Sequence, residues 1–525
     1  MNADQEHSRS LWMEKSIKQF PCLLEDTKAK VLVIGAGISG LSTAYELAQA
    51  GTEVIVVDRG GIAGGMTART SAHLSYVPDD YYHKLISLRG EKEARHYFES
   101  QKAAVSRIEN IAKCESIVCD FKRVDLFVFA PDTDGRKTLE KEYEAVQRVG
   151  FSGVQWAEAP CAGHSEGCLR FPDQARFHPL KYLGGVVKAL KTLGAEIYSD
   201  TAIVGVEEKG GRITAKTEAG NTITANAVVL ASNTPFVDPI TIHTKQAPYR
   251  TYVIAATMEK GSVPDALVWD TLHPYHYVRI QPGGREQLAL IGGEDHKSGT
   301  EDNGKARLMR LERWARKRFP GVGEIRYGWS GQVYEPVDHV QFIGRNPGHK
   351  QIYLVSGDSG SGLTMGVAAS LILPDLIAGR ENPWADVYSP SRKPKTISTL
   401  ATFVEENVSA AGHLAKHALP ISASEPRRPG TGKVVSHRGK KIAVYRDENG
   451  GMHRMSASCT HMGCIVQWNG FEQCWDCPCH GSQFAATGEV LQGPAGTPLA
   501  AVEGTGPRKR SRKSERKPSS HATPA

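Results

Sequence analysis

Residues 31–58 read VLVIGAGISGLSTAYELAQAGTEVIVVD, and this stretch decides the first half of the fold. Val31–Ile34 is a short apolar run that suits a strand buried on both faces. Gly35-Ala36-Gly37-Ile38-Ser39-Gly40 follows and fits G-x-G-x-x-G. Leu41, Ala44, Leu47 and Ala48 then recur at helical spacing, and a second apolar run, Val54–Val57, ends at Asp58. The pattern predicts a βαβ unit. Gly35 permits the tight turn out of the strand, Gly37 lets the backbone approach a pyrophosphate, and Gly40 lets helix and strand pack closely. The helix start, with Ser39 in its first turn, presents free N–H groups and a positive dipole end to phosphates. Asp58 stands where a carboxylate accepts hydrogen bonds from a ribose. The unit therefore reads as a dinucleotide site, but it does not separate FAD from NAD.

The rest of the chain bears on that choice. Arg59-Gly60-Gly61 through Thr67 to Thr70 continues the first site. Far downstream, Ile352-Tyr353-Leu354-Val355-Ser356 runs into Gly357-Asp358-Ser359-Gly360-Ser361-Gly362-Leu363-Thr364, a second strand, glycine-rich turn and helix start. With Phe177–Leu183, Ile291–Asp295, Trp329–Gln332, Asp338 and Ile343–Arg345, these segments resemble the D-amino-acid oxidase and glycine oxidase superfamily of FAD enzymes over roughly residues 10 to 390. The resemblance implies an α/β doubly wound FAD-binding domain interleaved with an antiparallel-sheet α+β substrate domain. It also implies that Val204 contacts the adenine through its backbone. Gly357, Gly362, Leu363 and Thr364 would meet the flavin ring and ribityl chain. The family chemistry is oxidation of an amine at the carbon bearing nitrogen, with hydride passing to flavin N5.

Near the C-terminus lies Cys459-Thr460-His461-Met462-Gly463-Cys464, and later Cys477-Pro478-Cys479-His480-Gly481-Ser482. Cys459 and Cys477 supply two thiolates for one iron, and His461 and His480 two imidazoles for the other, the ligand set of a Rieske [2Fe–2S] cluster. Neutral imidazoles make the site less negative and raise its potential, to roughly −150 to +300 mV. The competing reading is zinc, since Cys474-Trp475-Asp476-Cys477 is also C-x-x-C and mixed Cys/His sets hold zinc. Zinc gives no reason for C-x-H followed by C-P-C-H-G-S. Cys464 and Cys479 match the loop-to-loop disulfide of Rieske proteins from cytochrome bc complexes, a pairing implied by that resemblance. Ser482 matches the family serine that hydrogen-bonds a bridging sulfide. Phe484 stands where high-potential members carry tyrosine, which implies a lower potential. Gly493-Pro494-Ala495 resembles the loop that covers the cluster. Cys474 has no role in this reading.

Short alternating runs, Val434-Val435, Lys441–Tyr445 and Ile465–Trp468, predict a small all-β Rieske domain. The expected boundaries are 1–390 for the flavin oxidoreductase, 391–429 for a helical linker, 430–502 for the Rieske domain and 503–525 for a tail. Within the linker, Ile397, Leu400, Phe403, Val404, Ala411, Leu414 and Ala418 give one helix that docks the Rieske domain on the flavin domain.

The 525 residues exceed one ordinary core. The net charge of +7 is concentrated at the end, where Arg508, Lys509, Arg510, Arg512, Lys513, Arg516 and Lys517 face only Glu515. Such a tail reads as disordered and solvated rather than as a nucleic-acid or lipid contact. Met1–Ser10 is polar, and no apolar run approaches a span of ~18 residues, so the chain reads as cytoplasmic. Five of the ten cysteines cluster between Cys459 and Cys479, which favours metal ligation over a disulfide framework.

For the substrate, Tyr275, His276, Tyr277 and Arg279 form a polar–aromatic strand, with Arg279 placed to meet a substrate carboxylate. Tyr249, Arg250 and Tyr252 form a second candidate group. His73 and His178 read as structural histidines. The favoured function is flavin-dependent oxidation of an amine or amino acid, with the cluster as a one-electron relay to an external acceptor. Two alternatives stay open: electrons entering through the cluster for oxygen activation by the flavin, and a non-catalytic redox sensor.

Overall fold

The computed structural model describes residues 6–237, 241–283, 286–415 and 424–502. Thr27–Ile34 is the central strand of the first sheet, parallel to Val54–Val57 on one side and to Thr222–Leu230 on the other. Val31–Ile34 and Val54–Val57 are buried throughout, because helices cover one face and the strands Ile203–Lys209 and Arg212–Thr217 help to cover the other. Each such Val or Ile contributes about 1.5–3 kcal/mol of burial. The sheet has eight strands. Its path runs Phe342–Arg345, Ile352–Ser356, Thr222–Leu230, Thr27–Ile34, Val54–Val57 and Glu196–Tyr198, with a hairpin, Ile203–Lys209 and Arg212–Thr217, attached through Thr222–Leu230. Helices Ile38–Gln49, Pro179–Thr192 and Gly362–Ile377 pack together against it. Pro179 opens its helix at a position where no N–H is needed, and His178 Nδ1 accepts from Lys181 N at 3.3 Å.

A second sheet has nine strands, drawn from segments that alternate along the chain with those of the first. Gln246–Met258 pairs antiparallel with Val322–Pro336 along nearly its whole length and with Gln287–Lys297 on its other edge. One parallel pair, Leu267–Asp270 with Lys122–Ala130, interrupts the antiparallel pattern. Strands of both sheets line one cavity, Ile34 and Val355 from the first and Thr251, Tyr277 and Gln332 from the second.

Residues from Thr431 onward form two small antiparallel sheets, of three and four strands. An N-terminal strap ties the parts together. Trp12 is fully buried and donates to Thr70 O at 2.7 Å, while Ser8 N and Oγ both donate to Glu472 in the C-terminal domain.

The linker helix runs Ile397–Ala415, and the turn expected to reach Ala418 lies outside the described residues. It touches both neighbours. Glu406 pairs with Lys297, Asn407 Nδ2 donates to Thr244 O at 2.9 Å, and Ala410 packs on the C-terminal core. Of the apolar stripe read from the sequence, Ile397, Leu400 and Val404 are exposed, as is Val408, and polar groups join Ala410 in the docking contacts. The basic tail, 503–525, lies outside the described residues. Among the described residues, no helix is long and apolar enough to cross a membrane.

Candidate functional site

The two glycine-rich turns open into one cavity. Gly35 has φ +113°, and a Cβ there would stand 2.3 Å from Ala231 O; a Cβ on Gly40 would stand 1.8 Å from Gly35 O. Only glycine lets strand, turn and helix approach this closely. Asp58 shapes the same turn, its two carboxylate oxygens accepting from Ala36 N at 2.7 Å and Gly60 N at 3.0 Å. Thr67 Oγ1 accepts from Ile38 N at 3.1 Å. The second helix start touches the first, since a Cβ on Gly366 would lie 2.7 Å from Ser39 Oγ. Two helix N-termini thus point positive dipole ends at one space, the arrangement a dinucleotide pyrophosphate requires.

Gly35, Gly37, Ser39, Asp58, Arg59, Thr67, Gly362 and Leu363 line this cavity. Gly40 and Thr364 lie behind it, packed in the helix starts, with Thr364 Oγ1 donating to Ser361 O. Val204 is partly exposed, and its neighbour Ile203 lines the cavity instead. Gly357, at φ +70°, shapes the turn without reaching the lining.

The opposite end of the cavity is lined by His73, Asp79, Thr251, Trp269, Tyr275, Tyr277, Asp295 and Glu335. Tyr277 is therefore where the sequence placed it. Arg279 is not. It is fully buried, donates Nη1 to Ala72 O at 2.8 Å and Phe177 O at 3.2 Å, and is covered by the Trp12 ring at 5.3 Å. Burial pushes its pKa down to about 9. Tyr249 also lies off the cavity, its hydroxyl against Glu406 of the linker helix at 3.4 Å. His276 bonds Asp270 at 2.9 Å and stacks on Trp314, and Tyr252 packs on His296 and Phe471. His178 is a helix cap, whereas His73 does reach the cavity.

Sequence reasoning missed the four carboxylates at this end, Asp79, Asp295, Glu335 and Asp358. Burial pushes Asp79 up to about 7 and Asp295 and Asp358 to about 6, and it raises Glu335 well above the usual carboxylate range. Asp295 and Asp358 each adjoin glycine-rich stretches already singled out in the sequence. Asp79 and Glu335 carry no local signal.

The C-terminal site is built from two loops of matching design. Cys459 N donates to Cys464 O at 2.8 Å and Gly463 N to Cys459 O at 2.9 Å. In the second loop Cys477 N donates to Ser482 O at 2.8 Å and Gly481 N to Cys477 O at 3.0 Å. Gly463 and Gly481 both take positive φ, +80° and +76°, to close these turns. The loops bring Cys459 against Cys477, whose shared hydrogen bond lowers the first thiol's pKa and raises the second's. His461 and His480 lie with ring centroids 5.0 Å apart. Burial lowers His480 to about 4, and its buried Nδ1 has no hydrogen-bond partner, so a neutral imidazole offers that nitrogen as a ligand. Cys464 and Cys479 are joined as a disulfide across the loops, with Cα atoms 6.4 Å apart. A donor set of two thiols and two imidazoles, with a disulfide beside it, fits a [2Fe–2S] cluster of the Rieske type. Cys474 is buried in a strand beside Asp476, outside both loops.

The two sites share walls. Leu491, Gln492, Gly493 and Ala495 of the C-terminal domain line the cavity of the N-terminal one. Ala495 N in turn donates to Ser482 Oγ at 3.0 Å. Gln332 lines the cavity, and its Nε2 donates to Gly481 O at 2.8 Å, one residue after His480. A Cβ on Gly481 would meet the Tyr334 hydroxyl at 2.6 Å, so only glycine permits this contact. His243 packs edge-on against His461 at 4.9 Å and His480 at 5.8 Å.

Residues 30–376 match the family described as FAD dependent oxidoreductase, and residues 417–503 match the Rieske [2Fe-2S] domain. The protein YhfW of Bacillus subtilis (strain 168), named as a Rieske 2Fe-2S iron-sulfur protein, is 32% identical over 493 residues. That covers 93% of this chain and 96% of YhfW. Gamma-glutamylputrescine oxidoreductase of Escherichia coli (strain K12) is 25% identical over 396 residues, 71% of this chain and 90% of that protein. In fold, the chain resembles the crystal structure of glycine oxidase from Geobacillus kaustophilus, with a TM-score of 0.58 at 17% identity. The match covers 70% of this chain and 100% of that one.

Proposed function

The chain belongs to the FAD dependent oxidoreductase family, and on that premise we propose that it oxidises the C–N bond of an amine or amino acid and passes the electrons singly through its Rieske cluster to an external acceptor. Its cofactors are FAD and a [2Fe–2S] cluster. When bound, FAD supplies a two-electron acceptor and the cluster a one-electron carrier. The substrate loses two electrons and two protons to become an imine, and water then converts the imine to a carbonyl product and free amine.

The protein's own groups position and exclude. The turns at Gly35–Gly40 and Gly357–Gly362 would hold the phosphate and ribityl parts of FAD. Burial keeps His73 neutral, with its pKa pushed down to about 3, so it presents no charge to the reacting carbon. Burial raises Tyr275 and Tyr277, which stay protonated as hydrogen-bond donors. Asp79 accepts from the Tyr275 hydroxyl at 2.8 Å and fixes that ring.

The observation that carries the relay is Gln332, one side chain that both lines the cofactor cavity and bonds the turn following His480. No separate docking step is needed when the donor and carrier sites share a wall. The test compares holoenzyme with Cys459→Ser under anaerobic conditions. Amine should reduce the flavin in both, and cytochrome c reduction should be lost only in the variant. Equal cytochrome c turnover in the two would remove the cluster from the electron path.

A further inference from the structure

We propose that the substrate end of the cavity selects an amine with at least two positive charges, a diamine or polyamine, through Asp79, Asp295 and Glu335. This rests on the amine-oxidation reading above and narrows it. The three carboxylates come from separate parts of the chain: the segment before helix Tyr82–Arg89, the strand Gln287–Lys297 and the strand Val322–Pro336. Tertiary structure alone brings them to one wall. Asp358 adds a fourth acid at the glycine-rich turn, and Asp79 presses on that turn, since a Cβ on Gly360 would stand 1.9 Å from Asp79 Oδ2. The acids therefore face the end of the cavity where the flavin ring belongs.

Their partners are neutral. Asp79 accepts from the Tyr275 hydroxyl, Glu335 from Ser359 Oγ at 2.9 Å, and Asp358 from Tyr334 N at 2.7 Å. Asp295 Oδ1 is buried with no hydrogen-bond partner, while the carboxyl also bonds the Thr251 side chain. Among the described residues, none of the four forms an ion pair with Lys or Arg. Nearby cations are committed to other partners: Arg307, whose charge still lowers Asp295, to Glu294 and Glu301, His339 beside Glu335 to Asp80, Arg69 to Glu6 and Glu472, Arg250 to Asp476, and Arg279 to backbone carbonyls behind Trp12. Carboxylates set in a cavity wall without a paired cation are costly and drift toward their protonated forms, as the raised pKa values of all four record. Ammonium groups on the ligand supply the missing charge, one at the reacting carbon and one or more beyond it. An α-amino acid brings a carboxylate into the same space, where, among the described residues, the lining Arg69 is already paired with Glu6 and Glu472.

Anaerobic flavin reduction of the holoenzyme decides the matter, with spermidine, putrescine, butylamine and glycine as probes. Spermidine and putrescine should reduce the flavin with kcat/KM at least about tenfold above butylamine, one charge pair being worth about that factor. Glycine should be poorer still. Asp295→Asn, checked for retained FAD, should lower the spermidine-to-butylamine ratio of kcat/KM about tenfold, whereas a merely structural role would move both substrates together. Butylamine or glycine matching the polyamines overturns this inference and leaves amine oxidation standing. Failure of all four amines, in a flavin that dithionite reduces, overturns the amine-oxidation reading and this inference with it.

Discussion

Arg250 Nη2 lies 3.1 Å from Asp476 Oδ1, and both side chains are buried where the large antiparallel sheet meets the C-terminal domain. Asp476 is held in turn by Asn469 Nδ2 at 2.8 Å and Gln483 Nε2 at 2.9 Å. Ser330 Oγ accepts from the same arginine at 2.7 Å. Glu6 and Glu472 lie within 4 Å of it. One charge network thus joins the N-terminal strap, the flavin domain and the cluster domain.

Removing one member strands the other. Asp476→Ala leaves a buried guanidinium short of its nearest carboxylate, which costs about 3 kcal/mol or more. Urea unfolding followed by cluster absorbance should show the C-terminal domain lost at lower denaturant than in the parent. A change below about 0.5 kcal/mol, the range of surface substitutions, would show that the network does not hold the domain.

Gly40→Ala should abolish flavin binding. The added Cβ would overlap Gly35 O, so the helix start must retreat from the turn that cradles the phosphates. Purified variant protein should lack the yellow flavin absorbance while the C-terminal cluster signal persists. Normal FAD content would mean that the turn tolerates a larger shift than its packing suggests.

Metal content separates the cluster from zinc. The holoprotein should hold two irons per chain and give, after dithionite, a spin-half resonance with the low average g of histidine-ligated clusters. Cys477→Ser should lose the iron. Cys474→Ser should keep it, because Cys474 lies outside both ligand loops and burial holds its thiol protonated. Loss of iron in the Cys474 variant would reassign the ligands.

The acidic wall predicts a pH limb with a definite sign. Asp79 titrates at about 7, raised by burial against the lowering effect of the Tyr275 hydroxyl, with Asp80, Asp295 and Asp358 adding like charge. Above that value it is ionised and attracts a cation; below it the charge is lost. The kcat/KM for spermidine should therefore fall as pH drops through 7. Asp79→Asn should be poorer at high pH and lack that limb. An unaltered profile in the variant would assign the limb to another group.

Much of this protein was legible in its sequence because the deciding interactions are local. The turn Gly35–Gly40, with Asp58 bonding back to Ala36 N, is built within one βαβ unit, so spacing alone exposes it. The cluster loops are equally local: each closes on backbone bonds within six consecutive residues, which ties ligand order to residue order. The linker helix was legible as a helix, but its docking face was not. Periodicity reports which residues share a face, not which face finds a partner, and Ile397, Leu400, Val404 and Val408 remain exposed.

The content of the substrate pocket came from long-range packing. Tyr277 and Arg279 point to the same side of one strand, two residues apart, as alternation requires. Yet one faces the cavity and the other is sealed off, because Trp12 of the N-terminal strap covers Arg279. The pocket's charge likewise comes from Asp79, Asp295 and Glu335, which are far apart in the chain and meet because Gln287–Lys297 and Val322–Pro336 flank one strand of the large sheet and the Asp79 segment bonds Tyr275 beside them. The sequence by itself determined the two cofactor sites, since each is a short-range geometry. Their contact through Gln332 and Gly481, and the acidic wall opposite, depend on long-range packing that no local pattern encodes.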